Sequence, residues 1–397
     1  MLANPTAPAA GVRQMLPALI LLCLAGCLAV TSEMLPVGLL PTIGDAFAVG
    51  DSTTGYLVTV FAVMVAVFSV PLTLATRRLP RKPLLLGTIA GYLVSNTVIA
   101  LAPTFALVAT GRVIGGISHA LFFSVCIGYV PRLVEGAQVG RGLAIVGAGT
   151  TAGFVLGVPL STALGAAVGW RNAFGVLAIA AVATLILAGR FLPQVGGSRT
   201  RHSSGSRRTA VDLGVVVSSN TLTFVGQYTG YTYISVILIA AGASRSMIGP
   251  LLLVCGICGL VGLACAGRTI DRRPRATALA VLALLGVALL GVAAAQEWLV
   301  ATVIAVALWN GVFGATPSIY QSAAVRAMPD APEIAGAWIN ATANVGIAVG
   351  SILGGAVLAT GSSPSVLSWV AAVFVASGFA VAVVGKRAFP NRTAVGR

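Results

Sequence analysis

Apolar residues run through this chain in blocks of about twenty, separated by short polar stretches where arginine, proline, glycine and serine collect. A block of that length is what an α-helix needs to cross roughly 30 Å of hydrocarbon at about 1.5 Å per residue. The blocks predict spans over 15–39, 54–76, 83–101, 104–130, 141–165 and 171–192, then over 211–240, 246–266, 276–295, 298–326, 334–359 and 364–385. The stretch from Gly196 to Thr209, rich in glycine, serine and arginine, splits the twelve six and six and reads as a flexible linker. The resulting organisation is a tail over 1–14, a six-helix bundle over 15–192, a basic linker over 193–210, a second six-helix bundle over 211–385 and a tail over 386–397.

The halves match one another at an offset of about 194 residues. Gly267 to Arg273 falls on Thr73 to Leu79, and Gly336 falls on Gly142. Six spans per half make the repeats parallel in the membrane. The same offset sets Glu33 on Gln227, so the second half keeps a polar group there without the charge.

Composition removes the soluble alternatives. The chain is 57% hydrophobic and 8% charged, with a mean hydropathy of +0.99, against roughly 25% charged residues in soluble domains. A net charge of +15 would suit nucleic acid, but 21 of the 24 Lys and Arg residues fall in the N-terminus, the even-to-odd loops and the C-terminus. The opposite loops carry only Arg171 and Arg245, and Arg112 lies within a span. That bias puts both termini in the cytoplasm and makes the charge topological. With 22 Arg against 2 Lys, the chain points to a GC-rich bacterial genome and a bacterial cytoplasmic membrane.

The six cysteines lie in apolar spans and read as packing residues. Cys255 and Cys258 have no nearby His or second Cys pair, so no metal or other cofactor is expected. Leu24 to Cys27 resembles a lipoprotein cleavage box, but the apolar run continues to Leu40, which predicts an uncleaved first helix. No G-x-x-x-x-G-K-[ST] loop is present to suggest direct ATP hydrolysis.

Glu33 is the only acid deep within a span. A charged side chain at mid-bilayer depth costs about 2.5–3.5 kcal/mol on insertion scales, so this one either handles a proton, ion or substrate or packs as a neutral, hydrogen-bonded group. Pro36 and Pro41 follow it closely, and they weaken the helix ladder and give the helix a place to pivot. Arg112 and His119 are seven residues apart in span 4, on nearly one face, and with Glu33 they would form a proton-handling cluster. Span 5 carries Gly147, Gly149, Gly153 and Gly157 before Pro159, a spacing that suits close helix packing and a bend. In the second half, Asn220, Gln227, Tyr228 and Tyr231 in span 7, Asn310 and Gln321 in span 10, and Asn340 and Asn344 in span 11 suggest a mixed polar and aromatic cavity. Each of these also suits a helix-to-helix hydrogen bond.

Three segments carry a resemblance to a known family: Thr31-Ser32-Glu33 with Leu40-Pro41, Gly111-Arg112 through His119 to Phe123, and Gly153 through Gly157-Val158-Pro159-Leu160. They resemble the major facilitator superfamily, and within it the twelve-span drug:proton antiporters of the arabinose-efflux-permease-like and chloramphenicol-resistance-type branch. The resemblance covers about Met15 to Arg387 and implies an all-α membrane fold of two parallel six-helix repeats. It further implies that Arg112 is linked to proton transfer, that Glu33 is a protonation or substrate-contact site, and that Gly153 to Pro159 form the antiporter motif. The loop after span 2 departs from the superfamily pattern, with Thr73 and Arg77 at its glycine and aspartate positions, although Arg78, Arg81 and Lys82 remain; the repeat at Gly267 to Arg272 retains Asp271.

The expected protein is a non-enzymatic, proton-coupled exporter, monomeric in the bilayer, moving small amphipathic compounds outward by alternating access. Glu33, Arg112 and His119 would couple protons. Glu33, His119, Gln227, Tyr231, Asn310, Gln321, Asn340 and Asn344 would contact substrate, and Pro36, Pro41, Arg78, Gly153, Gly157, Pro159, Asp271 and Arg272 would gate. An exporter or facilitator of a metabolite such as a sugar or amino acid is the alternative.

Overall fold

The computed structural model describes residues 11–135, 138–196, 207–270, 272–295, 298–328 and 332–390. Among them are twelve helical stretches long and apolar enough to cross a membrane. The first half consists of α1 (Val12–Ala46), α2 (Asp51–Thr76), α3 (Arg81–Ala100), α4 (Phe105–Leu133), α5 (Val139–Ala152), α6 (Val158–Val168) and α7 (Trp170–Phe191). The second consists of α8 (Arg207–Tyr231), α9 (Ile234–Ala240), α10 (Ile248–Gly267), α11 (Pro274–Ala295), α12 (Leu299–Phe313), α13 (Thr316–Ala327), α14 (Pro332–Ala359) and α15 (Ser365–Val384).

Three predicted spans are interrupted, each for a local reason. Span 5 is α5 and α6 joined by a π-helical turn at Gly153–Gly157, in which Val158 N–H bonds Gly153 O instead of the usual i−4 carbonyl. Pro159 has no N–H for Val155 O, and the wider turn absorbs the lost α-helical bond. Span 10 breaks between Phe313 and Thr316, because Pro317 cannot donate to Phe313 O; it starts α13 instead. Asn310 and Gln321 therefore lie on separate helices rather than in line on one. Span 7 breaks at Thr232–Tyr233, where the Tyr233 hydroxyl donates to Ser351 O at 2.8 Å. A Cβ on Gly55 of α2 would come within 2.1 Å of that hydroxyl, so the tyrosine fits only against glycine.

The repeat is visible in the hydrogen bonds. Arg81 N–H at the start of α3 bonds Val195 O, and Arg275 N–H near the start of α11 bonds Pro390 O. The halves meet along two seams, α2 against α14 and α6 against α10. Tyr228 Oη lies 3.7 Å from Met34 Sδ, and these residues are themselves 194 apart in sequence. Repeat-equivalent positions that touch straddle the axis relating the repeats, so Met34 of α1 and Tyr228 of α8 face each other across it.

Candidate functional site

Helix α1 runs unbroken through Pro36 and Pro41. Each proline removes the N–H that would have bonded the carbonyl four residues back, leaving Ser32 O and Val37 O without helical partners. A buried carbonyl left unpaired costs about 1–3 kcal/mol. Arg112 of α4 supplies the first partner: Nη1 donates to Ser32 O at 2.7 Å, Nη2 to Glu33 O at 2.7 Å and Nε to Leu57 O at 3.0 Å. Its guanidinium also lies 4.2 Å from the Phe61 ring centroid. Ser235 of α9 supplies the second partner, its hydroxyl donating to Val37 O at 3.1 Å across the boundary between the halves.

Arg112 thus braces the backbone that carries Glu33, while the carboxylate faces His119. His119 Nε2 lies 3.5 Å from Glu33 Oε2, longer than a formed N–H···O bond. The other ring nitrogen, Nδ1, is 2.9 Å from the Tyr92 hydroxyl of α3. Phe61 and Phe123 meet the imidazole edge to face, with centroids at 5.3 and 5.0 Å. Asn96, one turn beyond Tyr92, donates to Ser32 Oγ at 2.9 Å. Helices α1, α2, α3 and α4 therefore fix one cluster that contains all three predicted coupling residues.

The cluster opens into a cavity of about 790 Å³ between the halves. Glu33, His119, Gln227, Tyr231, Asn310, Gln321, Asn340 and Asn344, all predicted to contact substrate, line it. Arg112 does not, and among the described residues that line it there is no Lys or Arg. Gln227, the repeat counterpart of Glu33, has its carbonyl held by Trp309 Nε1 at 2.7 Å. Phe224, Tyr228 and Tyr231 form a run of rings with centroids 5.6–6.1 Å apart. Asn340 donates to Ser69 Oγ of α2 at 3.3 Å, and Asn344 donates to Asn340 O at 3.0 Å.

The cavity reaches from Glu33 toward the linker face, where Leu143 of α5, Leu263 of α10, Val325 of α13 and Gly336 of α14 line it. On the far face the halves are closed. Ser235 holds Val37, a Cβ on Gly249 would be 2.9 Å from Ala163 Cβ, and a void of only about 10 Å³ remains beside Pro41. An ion pair at 2.6 Å joins Asp45 to Arg245 there, but both side chains are more than half exposed.

The gating candidates lie in several places. Gly153 and Gly157 press on α1, where added Cβ atoms would come 2.8 Å from Val30 Cβ and 1.9 Å from Thr31 Oγ1. Pro159 is buried just past the π turn. Arg78 and Arg272 are exposed on the linker face, away from the cavity. Asp271 lies outside the described residues. Sequence reasoning missed Tyr92, Asn96, Ser235 and Trp309, whose partners lie on other helices.

A family model described as Major Facilitator Superfamily matches residues 22–337. A chloramphenicol efflux pump of Mycobacterium tuberculosis is 31% identical over 351 residues, covering 84% of each chain. The transcription regulatory protein OpdE of Pseudomonas aeruginosa is 30% identical over 335 residues, covering 82% of this chain and 83% of its own. Among solved structures, a D-xylose–proton symporter superimposes with a TM-score of 0.78 at 15% identity, covering 96% of this chain and 100% of that one.

Proposed function

Because this chain belongs to the major facilitator superfamily and is a multi-pass membrane transporter, we propose that it exports small amphipathic compounds from a bacterial cytoplasm in exchange for protons. The observation that carries the reading is Glu33: it is the sole acid among the described residues that line the central cavity, and its carboxylate faces His119. A single carboxyl group at the crossing of the halves serves proton and substrate in turn if loading one excludes the other.

With the basic loops inside, the linker face is cytoplasmic and the cavity stands open to the side from which an exporter loads. The lining favours compounds with apolar and aromatic surface and a few hydrogen-bonding groups, and its described residues offer no Lys or Arg to hold an anion. The pump from M. tuberculosis, named for chloramphenicol efflux, supports a drug-like substrate over a sugar. A proton then binds Glu33 from outside after the halves rock, and it leaves when the cavity faces inward again.

Glu33→Gln tests the coupling in proteoliposomes. The amide keeps the shape and loses the titrating group, so we expect folded protein that still exchanges substrate for substrate but has lost gradient-driven export. Wild-type export by Glu33→Gln would place the coupling elsewhere.

A further inference from the structure

His119 presents a choice that the coupling site cannot leave open. A neutral imidazole carries its proton on one nitrogen and a lone pair on the other, and the partner of each nitrogen decides which. An ionised carboxylate only accepts hydrogen bonds, so an ionised Glu33 needs Nε2–H facing it. The imidazole is buried, with rings of Phe61 and Phe123 on its flanks, and its polar neighbours are Glu33 at Nε2 and the Tyr92 hydroxyl at Nδ1. Tyr92 is fully buried and packs edge to face on both His119 and Phe122, which fixes its ring. A hydroxyl can donate to a bare Nδ1 or accept from Nδ1–H; with His119 Nδ1 as its one hydrogen-bond partner among the described residues, donation is the arrangement that uses its proton, and donation selects the tautomer with the proton on Nε2.

We propose that Tyr92 is a positioning residue for proton coupling: its hydroxyl holds neutral His119 as the Nε2–H tautomer, aimed at the Glu33 carboxylate. This rests on the antiport reading above, and it adds a residue that touches neither the cavity nor the substrate path. The other titratable or charged groups around the cluster are Arg112 and Cys126 on α4 and Tyr228 on α8. Arg112 is committed to three backbone carbonyls, and Tyr228 reaches Met34 Sδ, so neither competes for Nδ1.

The chain has two histidines, so a His202→Gln background leaves His119 as the only imidazole. Nitrogen-15 spectra of histidine-labelled protein then read its tautomer directly. At alkaline pH the unaltered site is expected to show Nε2–H alone. Tyr92→Phe keeps the ring and removes the hydroxyl, and loss of one hydrogen bond should lower the tautomer ratio roughly two- to tenfold. In proteoliposomes the same variant should lose gradient-driven export by a similar factor while substrate-for-substrate exchange stays within about twofold, a split that general loosening of the fold would not give. An unchanged tautomer ratio overturns the proposal, as does a changed ratio with undiminished gradient-driven export. If the protein with Tyr92 intact shows no proton-driven export, the antiport reading falls instead, and the spectra still decide whether Tyr92 sets the tautomer.

Discussion

Ser32 loses its helical partner to Pro36, and Arg112 restores one with a guanidinium that serves three carbonyls at once. A lysine keeps the charge but has a single donor centre, so it cannot span Leu57, Ser32 and Glu33 together. We expect Arg112→Lys to lower stability by about 2–4 kcal/mol and to cut transport at least tenfold. Adding Pro36→Ala should recover part of the stability, since an alanine at that position brings back the N–H that Ser32 lacks; thermal unfolding of the single and double variants in detergent measures this. At this scale the sequence was informative where chemistry was out of place. A carboxylate, a guanidinium and an imidazole in apolar spans announce themselves by cost, whereas Tyr92, Asn96 and Ser235 are ordinary residues for a membrane helix. Tyr92 and His119 are 27 residues apart on neighbouring helices, and only the packing of α3 on α4 brings them together.

At the scale of elements, α1 is the part both halves hold. Arg112 grips it below Pro36 from its own half, and Ser235 grips it at Val37 from the other. The Asp45–Arg245 pair on the same face is exposed, and such pairs contribute about 0–1 kcal/mol. The bond from Ser235, fully buried, is the stronger fastening. Ser235→Ala should shift the balance away from the far-face-closed form by roughly two- to tenfold. Disulfide formation between Asp45→Cys and Arg245→Cys, compared with and without Ser235→Ala, would show it as slower crosslinking. The spans themselves were legible because apolar length has one meaning in a bilayer. The breaks were less so: a proline signals a missing N–H, but whether the helix answers with a π turn, as before Pro159, or stops, as before Pro317, depends on what packs beside it.

For the molecule as a whole, one acid in the cavity sets the charge balance of the proposed cycle. One proton entering for each neutral substrate leaving moves one net charge, and each charge gains about 2.3 kcal/mol per 100 mV. Exchange for a monovalent cation moves none. A potassium-diffusion potential across proteoliposomes at equal pH should therefore drive export of a neutral substrate and leave that of a monovalent cation unchanged. A strong voltage response of the cation would require a second proton site.

The two seams between the halves differ. Helices α2 and α14 touch at both ends, Ser52 beside Gly355 on the far face and Asn340 bonded to Ser69 toward the linker face. Along the other seam α10 meets α6 at Gly249 and the π turn at Gly256, while toward the linker face α5 and α10 both line the cavity through Leu143 and Leu263. The mouth is therefore hung like a door on the α2–α14 edge, with α5 and α10 framing its other edge. In the export cycle proposed above, an amphipathic compound dissolved in the lipid would enter sideways between α5 and α10, at a concentration set by its partitioning rather than by its level in water. Such a pump can work with a weak grip on its cargo, because the membrane has already gathered it.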